Sequence, residues 1–246
     1  MPPLLTVTGR DVLFAHWPVD PSALRPQVPE PLAIDTFDGS AWVSALALEN
    51  AGVAPGSLGS FSVAVPTPQL NFRTYVSHDG DEGVYFHSLD TGDRAVAELG
   101  RRAFGLAFHA ARSRIRRTGD TLRFSSRRTR AEGPDAVFRA RYRPAGSTGG
   151  VEPGSVAAFC VERDRYFVLP GEGGAALPGA GATGDDALVV GRITREPWQV
   201  SAVDATVRAN TLFEATGLPS PAADPVLCYS PGFEMGVEPV ELRGVG

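Results

Sequence analysis

LNFRTYVS (Leu70–Ser77) and GVYFHSLD (Gly83–Asp90) stand on either side of HDGDE (His78–Glu82), and the reading of this stretch decides the fold class. Both flanks are short and rich in aromatic and β-branched residues, while the segment between them is made of turn formers, so the pair is predicted to be a β-hairpin. Successive strand side chains point to opposite sides, so Asn71, Arg73 and Tyr75 share one polar face. In a closed sheet that face looks either into a cavity or outward.

The same pattern recurs along the chain. Strands are predicted at Ser40–Glu49, Ala111–Arg117, Thr121–Arg128, Ala136–Arg143, Tyr166–Leu169, Ala187–Thr194, Val226–Ser230 and Phe233–Val240. With the hairpin this is about ten strands, enough for a barrel. Helices are fewer. Thr91–Phe104 carries Ala95, Val96, Leu99 and Ala103 at close to helical spacing, with Asp93 near its start and Gly105 past its end. Gly154–Glu162 and Val203–Thr216 are weaker helical patterns, and Pro144–Pro153 and Pro170–Asp186 read as Gly/Pro-rich loops. The expected class is therefore mainly β (α+β), an antiparallel β-barrel with a few helices. A chain of 246 residues can bury one substantial core, and too little follows Asp186 to fold alone, so residues 1–246 are read as a single domain.

Composition removes whole classes of chemistry. The 23 basic residues are all arginine, so the chain has no lysine. A covalent imine, whether to substrate or to pyridoxal phosphate, and a P-loop both need a lysine ammonium, and arginine cannot supply a neutral amine. Base bias in the genome can also remove lysine, but the chemical exclusion holds either way. A net charge of −5 argues against bulk nucleic-acid binding. Cys160 and Cys228 have no paired spacing and read as buried small hydrophobes. No basic-then-apolar leader and no bilayer-length apolar run are visible, which is read as cytoplasmic.

Several local signals have two readings. GAGATG (Gly179–Gly184) matches GxGxxG but lacks the flanking strand and helix that a dinucleotide site requires, so it reads as a loop. From Arg101 to Arg143 there are 13 arginines against three acidic residues, a local charge of +10. Rows such as Arg112, Arg114, Arg116 and Arg139, Arg141, Arg143 are either a solvated outer face or an anion- or RNA-binding one. His16, His78, His87 and His109 have no metal-ligand spacing, and no metal or other cofactor is expected. His87, in mid-strand, is either an acid/base group or a satisfied core residue.

A further set of motifs adds a resemblance. HWPVDPSALRPQVPEPLAID (His16–Asp35) resembles the N-terminal signature of the acetoacetate decarboxylases, and with TFDGSAWV (Thr36–Val43) it resembles more closely the YqjF-like family of that superfamily. PQLNFRTYV (Pro68–Val76), RRAFGLAFHAAR (Arg101–Arg112), ARYRP (Ala140–Pro144), EPW (Glu196–Trp198) and YSPG (Tyr229–Gly232) extend it over most of the chain. The resemblance implies a cone-shaped β-barrel around a cavity for a small carbonyl or carboxylate compound. It also implies that the decarboxylases' lysine pair falls on LAFH (Leu106–His109), where Phe108 and His109 replace both amines.

Together these readings give an enzyme of this superfamily that does not use a Schiff base, acting on an apolar carbonyl or carboxylate metabolite by lyase, isomerase or cyclase chemistry. His87 and His109 are the acid/base candidates, and Arg73 is the anion anchor. Trp17, Glu49, Tyr75, Phe108 and Trp198 are the candidate substrate-binding residues. The alternatives are a non-catalytic carrier or sensor barrel and, more remotely, an RNA-associated module. The expected partner is a small molecule, not nucleic acid or membrane, with self-association left open.

Overall fold

The computed structural model describes residues 3–56, 66–129, 134–169 and 187–244. The sequence-predicted hairpin is present as β4 (Thr67–His78) and β5 (Asp81–Thr91), joined through Asp79 and Gly80, both at positive φ. Around it a closed ring is built from β1 (Leu5–Val19), β3 (Ala41–Pro55), β4, β5, β10 (Arg165–Val168), β11 (Ala187–Arg195) and β13 (Val226–Val237). The order is β11-β10-β5-β4-β3-β1-β13, and pairing of Ile193–Arg195 with Met235–Val237 brings the two ends together. The ring is irregular and not wholly antiparallel. β10 and the short β6 (Phe108–Ala110) both run parallel to β5.

A second sheet continues from β13 as β12 (Gln199–Asn210), β9 (Ala136–Gly150), β8 (Thr121–Arg128) and β7 (Arg112–Thr118), attached through Ser201 opposite Tyr229. Strand alternation then separates two interiors. Leu13, Ala15 and Trp17 of β1 face outward and, with Phe72, pack against Phe124, Phe138 and Tyr142 of the second sheet. The short helix α4 (Leu212–Thr216) drives Phe213 into this layer, edge-on to Trp17 at 5.6 Å and to Phe72 at 5.4 Å. Val12 and Phe14 of the same strand face inward with Leu46 and Leu48. Each fully buried aromatic or aliphatic side chain contributes about 1.5–3 kcal/mol, so both faces of the ring wall are anchored independently.

The helix predicted over Thr91–Phe104 forms as α2 (Arg94–Phe104). The Asp93 carboxylate accepts from the amides of Ala95 (2.7 Å) and Val96 (3.2 Å), and Gly105 ends the helix at φ 66°. α3 (Val156–Val161) lies within the second predicted helix, capped by Ser155. Three expectations are corrected. Val203–Thr216 is mostly strand β12, in which Val203, Ala205 and Val207 alternate onto the intersheet core and only the last residues turn into α4. Pro144–Pro153 is largely the end of β9, which reaches Gly150. Val226–Ser230 and Phe233–Val240 belong to one strand, β13, up to Val237. β1 falls where the sequence predicts no strand. The loop predicted over Pro170–Asp186, with its GxGxxG match, lies outside the described residues.

The arginine rows occupy the outer face of the second sheet, with Arg112, Arg114, Arg116, Arg139, Arg141 and Arg143 all exposed. Among the described residues no helix is long and apolar enough to cross a membrane.

Candidate functional site

The inward side chains of the ring do not meet at its centre, leaving a cavity of about 190 Å³. Its wall is mostly apolar, with Val12, Leu46, Leu48, Phe86 and Phe233 contributed by four strands. α2 and β6 cover one mouth with Val96, Phe104 and Phe108. Gly100 is required here. A Cβ at that position would stand 2.3 Å from Phe108 Cδ2, so only glycine lets the ring lie against the helix. Trp198 closes another side, edge-on to Phe14 at 4.9 Å and to Phe233 at 5.2 Å.

Four arginines reach this cavity, and their charges are not equivalent. Arg163 is paired with Asp35 and Glu82, Arg165 with Asp81 and Asp164, and Arg195 with Glu162. Arg73 has no carboxylate partner among the described residues, although it is only 9% exposed. Its Nη2 donates to the Cys160 carbonyl at 2.8 Å, its guanidinium lies 5.7 Å from the Tyr75 ring centre, and its Nε has no partner. A buried guanidinium without a counter-charge is costly, and an anion seated beside it would remove that cost.

Next to Arg73 on the inner face is a buried hydroxyl chain. His16 Nδ1 lies 2.6 Å from Ser44 Oγ, and Ser44 Oγ lies 2.5 Å from the Tyr75 hydroxyl. His16 Nε2 is sealed from solvent and has no partner. Burial first, and the nearby Arg73 charge second, lower the His16 pKa to about 3, so the imidazole is neutral at physiological pH. Burial pushes the Tyr75 hydroxyl well up and raises Cys160 to about 12. Neither ionises near neutrality, and Cys160 is not a thiolate nucleophile here.

The sequence-predicted residues divide between the two faces of the wall. Arg73, Phe108 and Trp198 line the cavity, and Tyr75 sits beside Arg73 on the inner face. Trp17 does not, because it alternates outward onto Phe213. Glu49 points to a separate cleft, where it pairs with Arg10 near Arg117 and Tyr229. His87 is the extra residue of a bulge, skipped when the partner of Phe72 is Ser88 and that of Arg73 is Phe86. It therefore stacks outward against Phe72 (5.7 Å) and Tyr85 (5.3 Å), and burial lowers its pKa to about 4. His109 lies opposite Asp90 in the β5–β6 register and does not line the cavity, whereas its neighbour Phe108 does. His16, Ser44 and Cys160 were missed as partners, since they are brought together only by the β1–β3 register and by α3. The signal for them was present in part, because Ser44 alternates with Trp42 and Leu46 on the predicted strand.

A model of the DUF2071 family, described as an uncharacterized conserved protein, matches residues 6–234. The chain is 34% identical over 228 residues to the uncharacterized protein YqjF of Bacillus subtilis (strain 168), covering 92% of this chain and 87% of that one. Among solved structures, acetoacetate decarboxylase from Legionella pneumophila superposes with TM-score 0.66 at 14% identity, covering 98% of this chain and 87% of that one. The enduracididine biosynthesis enzyme MppR, complexed with pyruvate, gives TM-score 0.64 at 14% identity, with 98% and 91% covered. An acetoacetate decarboxylase-like enzyme from Sphingomonas wittichii RW1 gives 0.64 at 11%, with 99% and 94% covered. These structural likenesses establish a shared fold.

Proposed function

The chain belongs to the DUF2071 family, and from that membership and its acetoacetate decarboxylase-like fold we propose that the ring cavity binds an apolar monocarboxylate, or a carbonyl compound of similar size, and promotes its conversion without an imine. One observation carries this reading: Arg73 borders an apolar cavity with its Nε free and, among the described residues, no acidic partner to neutralise it. A carboxylate there would accept two hydrogen bonds from one guanidinium and leave its carbon chain against Leu46, Phe86 and Trp198. An engineered apolar cavity of roughly 150 Å³ holds benzene, so a volume of about 190 Å³ suits a ligand of about six to ten heavy atoms.

The mode of action follows from what borders that space. Among the described lining residues there is no His, Asp, Glu or Cys. Proton transfer by His87 or His109, the sequence-based expectation, is therefore replaced by positioning and by charge stabilisation from Arg73. Ring closure or loss of a leaving group from a folded conformer fits such a wall, since both are promoted by confinement. The same lack of a titrating group near neutrality favours a second reading, a carrier that returns its ligand unchanged.

The test is calorimetric titration of hexanoate into the wild-type protein and Arg73→Met. Saturable binding that weakens by about 10- to 100-fold in the variant is expected, the range for one charge-assisted hydrogen-bonded pair. Equal affinity in both would overturn the assignment of Arg73. Prolonged incubation of bound carboxylates followed by NMR then separates conversion from carriage.

A further inference from the structure

A second polar feature enters the cavity, and the proposed function does not use it. Asn50 of β3 and Gln69 and Asn71 of β4 line the wall together. Asn50 Nδ2 donates to Gln69 Oε1 at 3.3 Å, and Gln69 Nε2 donates to Asn71 Oδ1 at 2.8 Å. The three amides thus form a ladder with one direction. Gln69, which is 8% exposed, uses both ends of its amide inside the ladder. At one end Asn50 Oδ1 is sealed from solvent with no partner, and at the other the Asn71 NH₂ group has none among the described residues. If all three amides are flipped, one donor and one acceptor still remain unused, at opposite ends.

A buried polar atom left unpaired in an apolar wall is costly, and the three amides hold one such atom, Asn50 Oδ1. They also stand at a fixed distance from the charge. Asn71 and Arg73 are alternate residues on the inward face of β4, so their backbones are separated by roughly 7 Å along the strand. An oxygen bonded at the ladder and a carboxylate held at Arg73 therefore belong to separate parts of one ligand.

We infer that the amide ladder of Asn50, Gln69 and Asn71 is a second subsite, and that the ligand is a medium-chain monocarboxylate bearing a neutral keto or hydroxyl oxygen several carbons from its carboxylate. This rests on the proposed anchoring at Arg73. Asn71 would donate to that oxygen. A short 2-oxo acid such as pyruvate cannot reach both subsites, and a dicarboxylate would bring a second charge to a ladder that offers only neutral groups. The other arginines at the cavity already hold protein carboxylates, which leaves one anion as the complement of the site.

The experiment compares hexanoate, 5-oxohexanoate, pyruvate and adipate by calorimetry on the wild-type protein and on Asn71→Ala. The expected result is 5-oxohexanoate binding at least fivefold tighter than hexanoate, with pyruvate and adipate weaker than both. Asn71→Ala should abolish the fivefold difference while hexanoate affinity stays within twofold, which also serves as the check on folding. Equal wild-type affinity for hexanoate and 5-oxohexanoate overturns this inference alone, whether or not the variant folds. Failure of every carboxylate to bind, or binding indifferent to Arg73→Met, overturns the underlying reading instead.

Discussion

Arg73 donates through Nη2 to the Cys160 carbonyl at 2.8 Å, and this single bond turns the guanidinium along the inner wall with its Nε left over. The anchor is thus held by the backbone of α3 alone, whereas Arg163 and Arg195 bond the α3 carbonyls of Phe159 and Val161 and carboxylates as well. Arg73→Met keeps the bulk and removes a buried, uncompensated charge. Losing the bond costs about 1–3 kcal/mol, and losing the unpaired charge offsets it. The melting temperature of the ligand-free variant is expected to equal or exceed that of the wild type, while the rise in melting temperature caused by hexanoate disappears. Differential scanning calorimetry with and without hexanoate checks both.

The two buried imidazoles set a pH dependence of stability. His16 (about 3) and His87 (about 4) are depressed below the ordinary value of 6.5, so the unfolded chain binds more protons than the native one between those limits. Stability is therefore full above pH 6.5 and is lost as the pH falls toward 4. Asp90 works in the opposite sense. Burial, opposed by Arg128, raises its pKa to about 6, so its contribution is present in acid and is lost as the pH rises through 6. Two depressed histidines outweigh one raised carboxyl, and urea midpoints are expected to climb from pH 4.5 to 6.5 and then level. His87→Gln should flatten the climb.

Gly100→Ala tests the seating of Phe108. The new methyl would meet the ring at 2.3 Å, and the ring's free side is the cavity. Stability is expected to fall by at most about 1–3 kcal/mol, while hexanoate affinity drops because the ring is pushed into the ligand's space. Unchanged affinity would mean that Phe108 does not border the ligand.

On the second sheet Arg116, Arg123 and Arg141 stand directly opposite one another on β7, β8 and β9. Like charges across antiparallel strands repel by about 0.2–1 kcal/mol per pair. Arg123→Glu converts two repulsions into attractions and is expected to raise the melting temperature at low salt, with the gain shrinking above about 0.5 M salt. A loss of stability would show that this row is satisfied in some other way.

Imine chemistry is tested directly by reduction. With no lysine in the chain, incubation with pyruvate and borohydride is expected to leave no adduct on any side chain by peptide mass mapping.

What could be read from the sequence follows its local patterns. The β4–β5 hairpin, α2 with its Asp93 and Gly105 caps, and the arginine rows all rest on interactions within a few residues, and all were legible. β1 was not, because Gly9, Arg10 and Asp11 interrupt its alternation. There the strand slips register twice, and Asp11 takes φ 57° while Tyr142 and Tyr229 donate to it at 2.8 Å. β12 was mistaken for a helix because alternating alanine and valine are compatible with either period until Val203 and Val207 find the intersheet core. For the site, Arg73 follows from strand parity, while Phe108 and Trp198 follow from the LAFH and EPW motifs of the resemblance, and all three line the cavity. Trp17 and His87 lie on the other face, the first by alternation and the second through a bulge that one strand's sequence does not reveal. The contact of His16 with Ser44 spans 28 residues and depends on strand register alone.

A crystal structure of the protein soaked with hexanoate tests the central claim most directly. The account predicts carboxylate density within hydrogen-bonding distance of Arg73 Nε, with the alkyl chain running between Leu46, Phe86 and Trp198. Hexanoate seated instead in the cleft of Arg10, Glu49 and Arg117, with the ring cavity empty and Arg73 unmoved, would contradict it.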